Sequence, residues 1–333
     1  MKRRDIIVFL GATATRPFAA SAQQPAKTHH LVILTHIDSV DRKTGKEERY
    51  WAAFFNELRR LGYERGRNLL VTWRSSQIDA DRAAELVRGV AEQKPDVIFT
   101  ADARMAIFLK TMEAAIPVVA ITVDPVGSGV AASLARPGGN VTGFSVDAGL
   151  GNISKRLEFF RQVVPAASRM AWLTPRRTME LPIGTVTRET VRMAGMTLVD
   201  IVLEAPIDAA AFHRAFEAMS LDRVDSVWAA TVGEFLEHRR LIAELAAGSK
   251  LPTMFGWREN VEAGGLMSYG NDVADTFRLS ATYVDRVLKG DKPAELPFQQ
   301  PTKFELAINL KTARDLGLTV PPIILARADE VIE

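Results

Sequence analysis

The chain has 333 residues, of which 47% are hydrophobic and 25% charged, and it contains no Cys. That length exceeds what one small core organises, and the apolar content is too high for disorder, so two packed units are expected. With 22 Gly and 16 Pro, usage is ordinary and excludes collagen-like and low-complexity classes; the lack of Cys excludes disulfides, thiolate metal sites and thiol catalysis.

The N-terminus has the layout of an export signal. Lys2-Arg3-Arg4 precedes an apolar run over residues 6–14, and Ala20-Ser21-Ala22 fits cleavage before Gln23. The paired Arg3-Arg4 points to the twin-arginine route, with Sec export as the alternative. Arg16-Pro17 interrupts the run well short of the ~20 apolar residues that span a bilayer. Removing residues 1–22 takes the formal net charge from +2 to −1. No positive excess then remains to neutralise phosphates, so nucleic acid is not an expected partner. Without a Cys to carry lipid the exported chain is not a lipoprotein, and a free periplasmic protein is expected.

After the signal, short β-branched runs alternate with longer helical stretches, the pattern of a parallel α/β sheet. Residues 31–35 read as the first strand. Residues 47–61 follow as a helix with Tyr50, Trp51, Phe54, Phe55, Leu58 and Leu61 on one stripe, stopped at Gly62. Strands over residues 69–73, 96–100 and 117–122 then alternate with helices over 79–93 and 102–115. The turn cluster Arg136-Pro137-Gly138-Gly139-Asn140 precedes an extended run at residues 141–145.

A second alternating set follows. Its strands are expected near residues 169–174, 197–203, 226–230 and 252–255, and its helices near 151–163, 182–194, 209–219 and 233–247. Ala263-Gly264-Gly265 precedes a strand at 266–269, an amphipathic helix over 272–288 ends at Gly290, and breakers over 292–301 precede a strand at 304–309 and a short helix at 311–316. The two sets share a rhythm without a residue-level repeat. Three breaker-rich crossings between two doubly wound, parallel-sheet α/β lobes describe a hinged clamshell. Lobe 1 is expected to comprise residues 23–143 plus 271–296, and lobe 2 residues 144–270 plus 297–333.

Particular runs carry a family likeness: Leu61-Gly62-Tyr63-Glu64-Arg65-Gly66-Arg67-Asn68, Asp124-Pro125-Val126, Gly138-Gly139-Asn140-Val141-Thr142-Gly143, Trp257-Arg258-Glu259, Glu262-Ala263-Gly264-Gly265-Leu266-Met267-Ser268-Tyr269-Gly270, and Gln300-Pro301-Thr302-Lys303-Phe304-Glu305-Leu306. In these the mature chain resembles the type I periplasmic binding proteins of ABC transporters, specifically the TrpX-like group. The resemblance implies a ligand carrier with no cofactor that hands a small molecule, such as an amino acid or aromatic acid, to an inner-membrane permease, and that works as a monomer. The sequence departs from the group at Ala101-Asp102-Ala103-Arg104 and Pro175-Arg176-Arg177, positions where ligands usually bind, so ligand identity does not transfer.

In doubly wound sheets ligands sit beyond the carboxyl ends of the strands. The resulting binding candidates are His36, Thr100, Thr122 and Asp124 in one lobe, Thr174 and Thr231 in the other, and Ser145, Trp257 and Tyr269 near the crossings. Asp38, Asp102 and Arg176 occupy similar positions. Hydroxyls, a carboxylate and two aromatics suit a small zwitterion or acid. Each residue has a structural alternative: Asp124, before Pro125, as a turn cap; His36 as a partly buried framework residue; Trp257 as packing at a helix start; Arg176 and Arg177 as a solvated loop.

Enzyme motifs do not fit. Gly127-Ser128-Gly129-Val130-Ala131-Ala132 matches G-x-G-x-x-A but follows Asp124-Pro125-Val126 instead of leaving a strand directly, and no Walker A, G-x-S-x-G or H-E-x-x-H sequence is present. A sugar-sensing regulator of this fold needs a basic helix-turn-helix where this chain has its export signal. The remaining alternative to a carrier is an exported α/β enzyme of unrecognised chemistry. Export makes one direct prediction: intact mass of the secreted protein should place its N-terminus within a few residues of Gln23, and secreted protein retaining Met1 would contradict it.

Overall fold

The computed structural model describes residues 27–35, 47–76, 80–111, 116–146 and 151–333. The expected export signal at residues 1–22, and His36 and Asp38, lie outside the described residues.

The first half alternates as β1 (His29–Thr35), α1 (Arg49–Arg60), β2 (Leu69–Ser75), α2 (Ala80–Glu92), β3 (Val97–Thr100), α3 (Ala103–Thr111), β4 (Val118–Thr122) and β5 (Val141–Ser145). Its five strands form a wholly parallel sheet in the order β2-β1-β3-β4-β5. Leu31, Val32, Ile33 and Leu34 of β1 are all fully buried, as expected of a strand covered by helices on both faces.

The second half runs α4 (Gly151–Val163), β6 (Arg169–Pro175), α5 (Arg176–Glu180), α6 (Pro182–Met193), β7 (Thr197–Leu203), α7 (Ala209–Leu221), β8 (Ser226–Ala229), α8 (Gly233–Glu237), α9 (Arg239–Gly248), β9 (Thr253–Phe255), α10 (Arg258–Glu262) and β10 (Met267–Asn271). It continues through α11 (Val273–Leu288), β11 (Phe304–Asn309), α12 (Leu310–Asp315), α13 (Pro322–Leu325) and β12 (Glu330–Ile332). Strands β7-β6-β8-β9-β10 repeat the parallel order of the first sheet, and β11 and β12 extend it.

Three local features differ from the sequence reading. Strand β11 is antiparallel to β10, so the second sheet is mixed; β11 arrives from the opposite direction because α11 lies on the other lobe. The single helix expected over residues 233–247 is two, meeting at His238, where the Glu234 carbonyl accepts the His238 N–H (3.0 Å) and the Leu236 carbonyl accepts from Arg239 Nη1 (2.9 Å). The Arg239 side chain thereby satisfies a carbonyl at the end of α8. Arg176 and Arg177, weighed as a solvated loop, instead open a short helix, α5.

Helix α11 belongs to the first lobe's core although it follows the second sheet. Asp272 caps it by accepting from the N–H groups of Ala274 (2.8 Å) and Asp275 (3.2 Å). Its Phe277 ring lies 5.0 Å from Tyr50, 4.9 Å from Trp51 and 5.7 Å from Phe99, tying α11 to α1 and β3. Each such pair adds about 0.5–1.5 kcal/mol beyond the area it buries. The chain therefore passes between the lobes three times: from β5 to α4, from β10 to α11, and at residues 297–303. In the last crossing Gln299 lies beside β5, its N–H donating to the Gly143 carbonyl (2.9 Å) and its carbonyl accepting from Ser145 (2.8 Å). Gly143 has φ +145°, and a Cβ there would stand 1.9 Å from the Ala120 carbonyl oxygen; only glycine lets β4 and β5 approach so closely at this end.

A charged cluster joins the lobes beside the β10 to α11 crossing. Arg49, opening α1, donates to Glu259 of α10 at 2.8 Å and lies 3.5 Å from Asp272. Glu305, opposite Gly270 in the β10–β11 pair, faces Arg258 at 3.7 Å, and Arg258 also pairs with Glu262 (3.0 Å) and Glu330 (3.3 Å). Glu259 Oε2 and Glu305 Oε1 are buried without a hydrogen-bond partner. Burial, reinforced by the neighbouring Asp272, pushes the Glu305 carboxyl up to about 7, and burial likewise raises Glu259. A carboxyl whose folded pKa is raised stabilises the fold below its unfolded pKa and loses that contribution as pH rises through the folded value. Glu305→Gln should therefore flatten the fall in stability between about pH 5 and 7 and raise stability at pH 8 by roughly 1–3 kcal/mol. Urea melts across that range check it; a parent slope retained in the variant would contradict the assignment.

Candidate functional site

A pocket with about 50 Å³ of internal space lies between the carboxyl ends of the two sheets, tighter than the small-molecule sites of most binding proteins. The first lobe contributes Ala101 after β3, Ile121, Thr122 and Val123 at the end of β4, and Val146 after β5. From the second come Thr231, Val232 and Gly233 after β8, Leu236 of α8 and Trp257 after β9. Asn271 at the crossing and Val273, Thr276 and Phe277 of α11 complete the wall.

Most of this surface is apolar, and the polar groups in it are individually arranged. Trp257 Nε1 donates to Asn271 Oδ1 (3.1 Å), Asn271 Nδ2 donates to Thr276 Oγ1 (2.9 Å), and that hydroxyl donates to the Asp272 carbonyl (3.0 Å). This relay fixes the indole against the crossing. Thr231 Oγ1 accepts from Arg156 Nη1 (2.9 Å), while Arg156 Nε donates to the Tyr269 carbonyl (2.6 Å). Gly256 permits this placement, since a Cβ there would lie 2.1 Å from Thr231 Oγ1. Thr122 is 2% exposed, and its Oγ1 is buried with no hydrogen-bond partner.

Of the candidates read from sequence, the structure brings Thr122, Thr231 and Trp257 to one pocket. Thr100 is buried beneath it and accepts from the Asp102 N–H (3.2 Å). Asp124 caps a turn, accepting from the Gly127 N–H at 2.8 Å. Ser145 Oγ donates to the Val123 carbonyl (2.7 Å) and Thr174 Oγ1 to the Pro175 carbonyl (3.3 Å). The Tyr269 ring packs between Phe159 (5.1 Å) and Phe304 (6.0 Å). None of these five is among the pocket-lining residues, and His36 lies outside the described residues.

The two charged departures from the family pattern stand beside the pocket. Ser76 donates to Asp102 (2.9 Å), which pairs with Arg104 (3.1 Å); on the other lobe Glu234 pairs with Arg177. Burial opposes the Arg104 charge, but Asp102, and Glu234 across the cleft, hold its pKa raised. Arg176 points away and pairs with the exposed Glu204. Sequence reasoning missed Leu236, Asn271, Phe277 and Arg156. Asn271 was within reach, being two residues past an expected strand end. Phe277 and Arg156 were not, because both sit on helices whose packing partners are distant in sequence.

The lobes touch across the site. Glu48 and Arg239 form an ion pair with side chains 11% and 13% exposed, and Leu236 and Trp257 belong to one buried cluster with Trp51, Phe99 and Phe277 of the first lobe. The cleft is closed around its pocket.

Two lobes of like topology with a pocket between the carboxyl ends of their sheets define a type I periplasmic binding protein architecture. Residues 48–332 match the family model for ABC transporter substrate binding proteins, and the chain belongs to that family. A tyrosine-binding protein of Clostridioides difficile (strain R20291) is 22% identical over 267 residues, 80% of this chain and 75% of the relative. Among solved structures, a conserved domain protein from Vibrio cholerae O1 biovar eltor aligns with a TM-score of 0.80 at 23% identity, covering 92% of this chain and 100% of the other. The ABC domain in complex with L-Trp from Streptococcus pneumonia aligns with the same TM-score of 0.80 at 21% identity and the same coverage, 92% and 100%. A carbohydrate transporter solute binding protein from Agrobacterium radiobacter in complex with D-arabinose reaches 0.58 at 13% identity, covering 91% and 99%. At these identities the structures share the fold.

Proposed function

We propose that the protein is the periplasmic solute-binding component of an ABC importer. It takes a small organic ligand, an amino acid or an aromatic or other small carboxylate, into the interlobe pocket and presents it as a monomer to an inner-membrane permease. Closure is by rotation of the lobes about the three crossings. The observation that carries this reading is the pocket itself, whose walls come from both lobes and from the crossing, so that a ligand inside it rewards closure. Its apolar body and few placed polar groups are the usual lining of a small-molecule site. The tyrosine-binding relative and the L-Trp complex support aromatic amino acids as the first compounds to test. Within the pocket Thr122, Thr231 and Trp257 are the proposed contacts.

A ligand at a hundredfold excess over Kd should stabilise the protein by about 2.7 kcal/mol, which a thermal-shift screen across amino acids, aromatic acids and small carboxylates will register. Trp257→Ala should weaken binding of the compound found by about tenfold or more while leaving far-UV circular dichroism unchanged, since an aromatic wall contributes both area and ring contacts. Affinity within twofold of the parent in a folded variant would place the ligand elsewhere.

A further inference from the structure

The polar chemistry of the pocket specifies the ligand's head group. Three of the four polar side chains lining it, Asn271, Thr276 and Thr231, hold hydrogen bonds to protein. Only the first two complete the Trp257 relay. Thr231 differs because its oxygen is the acceptor: with Arg156 Nη1 donating into it at 2.9 Å, the hydroxyl keeps its hydrogen to give. Accepting from a guanidinium also polarises that O–H, since hydrogen bonds in a chain strengthen one another. Thr122 Oγ1, on the opposite lobe, is buried with no partner at all. A buried hydroxyl left unpaired is costly, and such a group at a pocket wall asks for a ligand atom.

Both residues line the same pocket, one from each lobe. Two hydroxyl donors on opposite walls would match a group with two acceptor oxygens, and such bonds are strongest when that group is ionised. We propose, building on the interlobe-cleft reading, that the pocket takes a ligand carboxylate bridged between Thr122 and Thr231, with Arg156 as the positioning residue that aims the Thr231 hydroxyl. The rest of the ligand lies against Trp257 and Phe277. Arg156 is 7% exposed and sits on α4, the first helix after the first crossing. Another hydrogen bond, from Nε to the Tyr269 carbonyl of β10 (2.6 Å), anchors it to the strand that leads into the next crossing. The same side chain thus orients a head-group donor and braces the segment about which the lobes would turn.

Titration calorimetry on matched probes tests this: L-tryptophan against L-tryptophanamide and tryptamine, L-tyrosine against L-tyrosinamide and tyramine, and indole-3-acetate against indole-3-acetamide. Each acid that binds should exceed its amide and its amine by about tenfold or more. Thr122→Val and Thr231→Val should each weaken the acid about five- to 150-fold, whereas Thr231→Ser, which keeps the donor, should stay within about threefold of the parent. Arg156→Met should weaken the acid as Thr231→Val does, and the double variant should be no weaker than either alone, the non-additivity expected of a residue acting through another. If Arg156→Met does not fold, the Val and Ser variants of Thr231 decide alone. An amide or amine binding within twofold of its acid, Thr231→Ser behaving like Thr231→Val, or no acid of the set binding, would overturn the carboxylate assignment. The cleft reading fails separately, if binding of whichever probe is taken up is indifferent to Trp257→Ala.

Discussion

The packing of Phe277 among Tyr50, Trp51 and Phe99 is the contact on which the rest of the molecule depends. It makes a helix encoded after the second sheet part of the first lobe's core, and so obliges the chain to cross between lobes a second and a third time. One crossing would leave two lobes on a tether. Three, with the Gln299 segment paired beside β5, tie the lobes together at three places. Phe277 also lines the pocket, so the residue that closes the first core is a wall of the site.

Electrostatics then govern how the lobes meet. The Glu48–Arg239 and Arg49–Glu259 pairs lie across the lobe junction, and the charged residues beside the pocket neutralise one another within their own lobes. A largely buried pair breaks at a cost, because each partner is left as an uncompensated charge in a low-dielectric setting unless water replaces it. An opening of the lobes would expose these groups to water, so their pairing would enter the balance between open and closed states. Glu305, held near neutrality by burial beside Asp272, makes the junction sensitive to pH in the same range.

Much of the fold was legible in the sequence because parallel α/β lobes write themselves locally. The β-branched runs at residues 31–35 and 118–122 and the aromatic stripe of α1 are periodic signals that need no partner to be read. The mixed second sheet was not legible, since the direction of β11 follows from where α11 packs, and packing between residues 50 and 277 leaves no local mark. The candidate pocket was legible where strand-end geometry governs it: Thr122 ends β4, and Thr231 and Trp257 come two residues after β8 and β9. The same rule also nominated Asp124, Ser145 and Thr174, whose side chains turn back to bond nearby backbone. Short polar side chains at strand ends compete for local backbone groups as readily as for ligand, and only the three-dimensional neighbours decide between the two. Arg156 was hidden for the converse reason: it acts on the pocket from a helix face, through Thr231.

The central claim is that a ligand draws the two lobes together about the three crossings. Because the chain has no Cys, Arg88→Cys on α2 and Arg214→Cys on α7 give two unique spin-label sites, both exposed. They lie on helices that follow β2 and β7, the sheet edges remote from the crossings, where rotation moves residues furthest. Pulsed electron resonance should show a long and a short distance population without ligand and growth of the short one as a bound compound saturates the protein. A distance distribution unchanged by a compound that calorimetry shows to bind would contradict it.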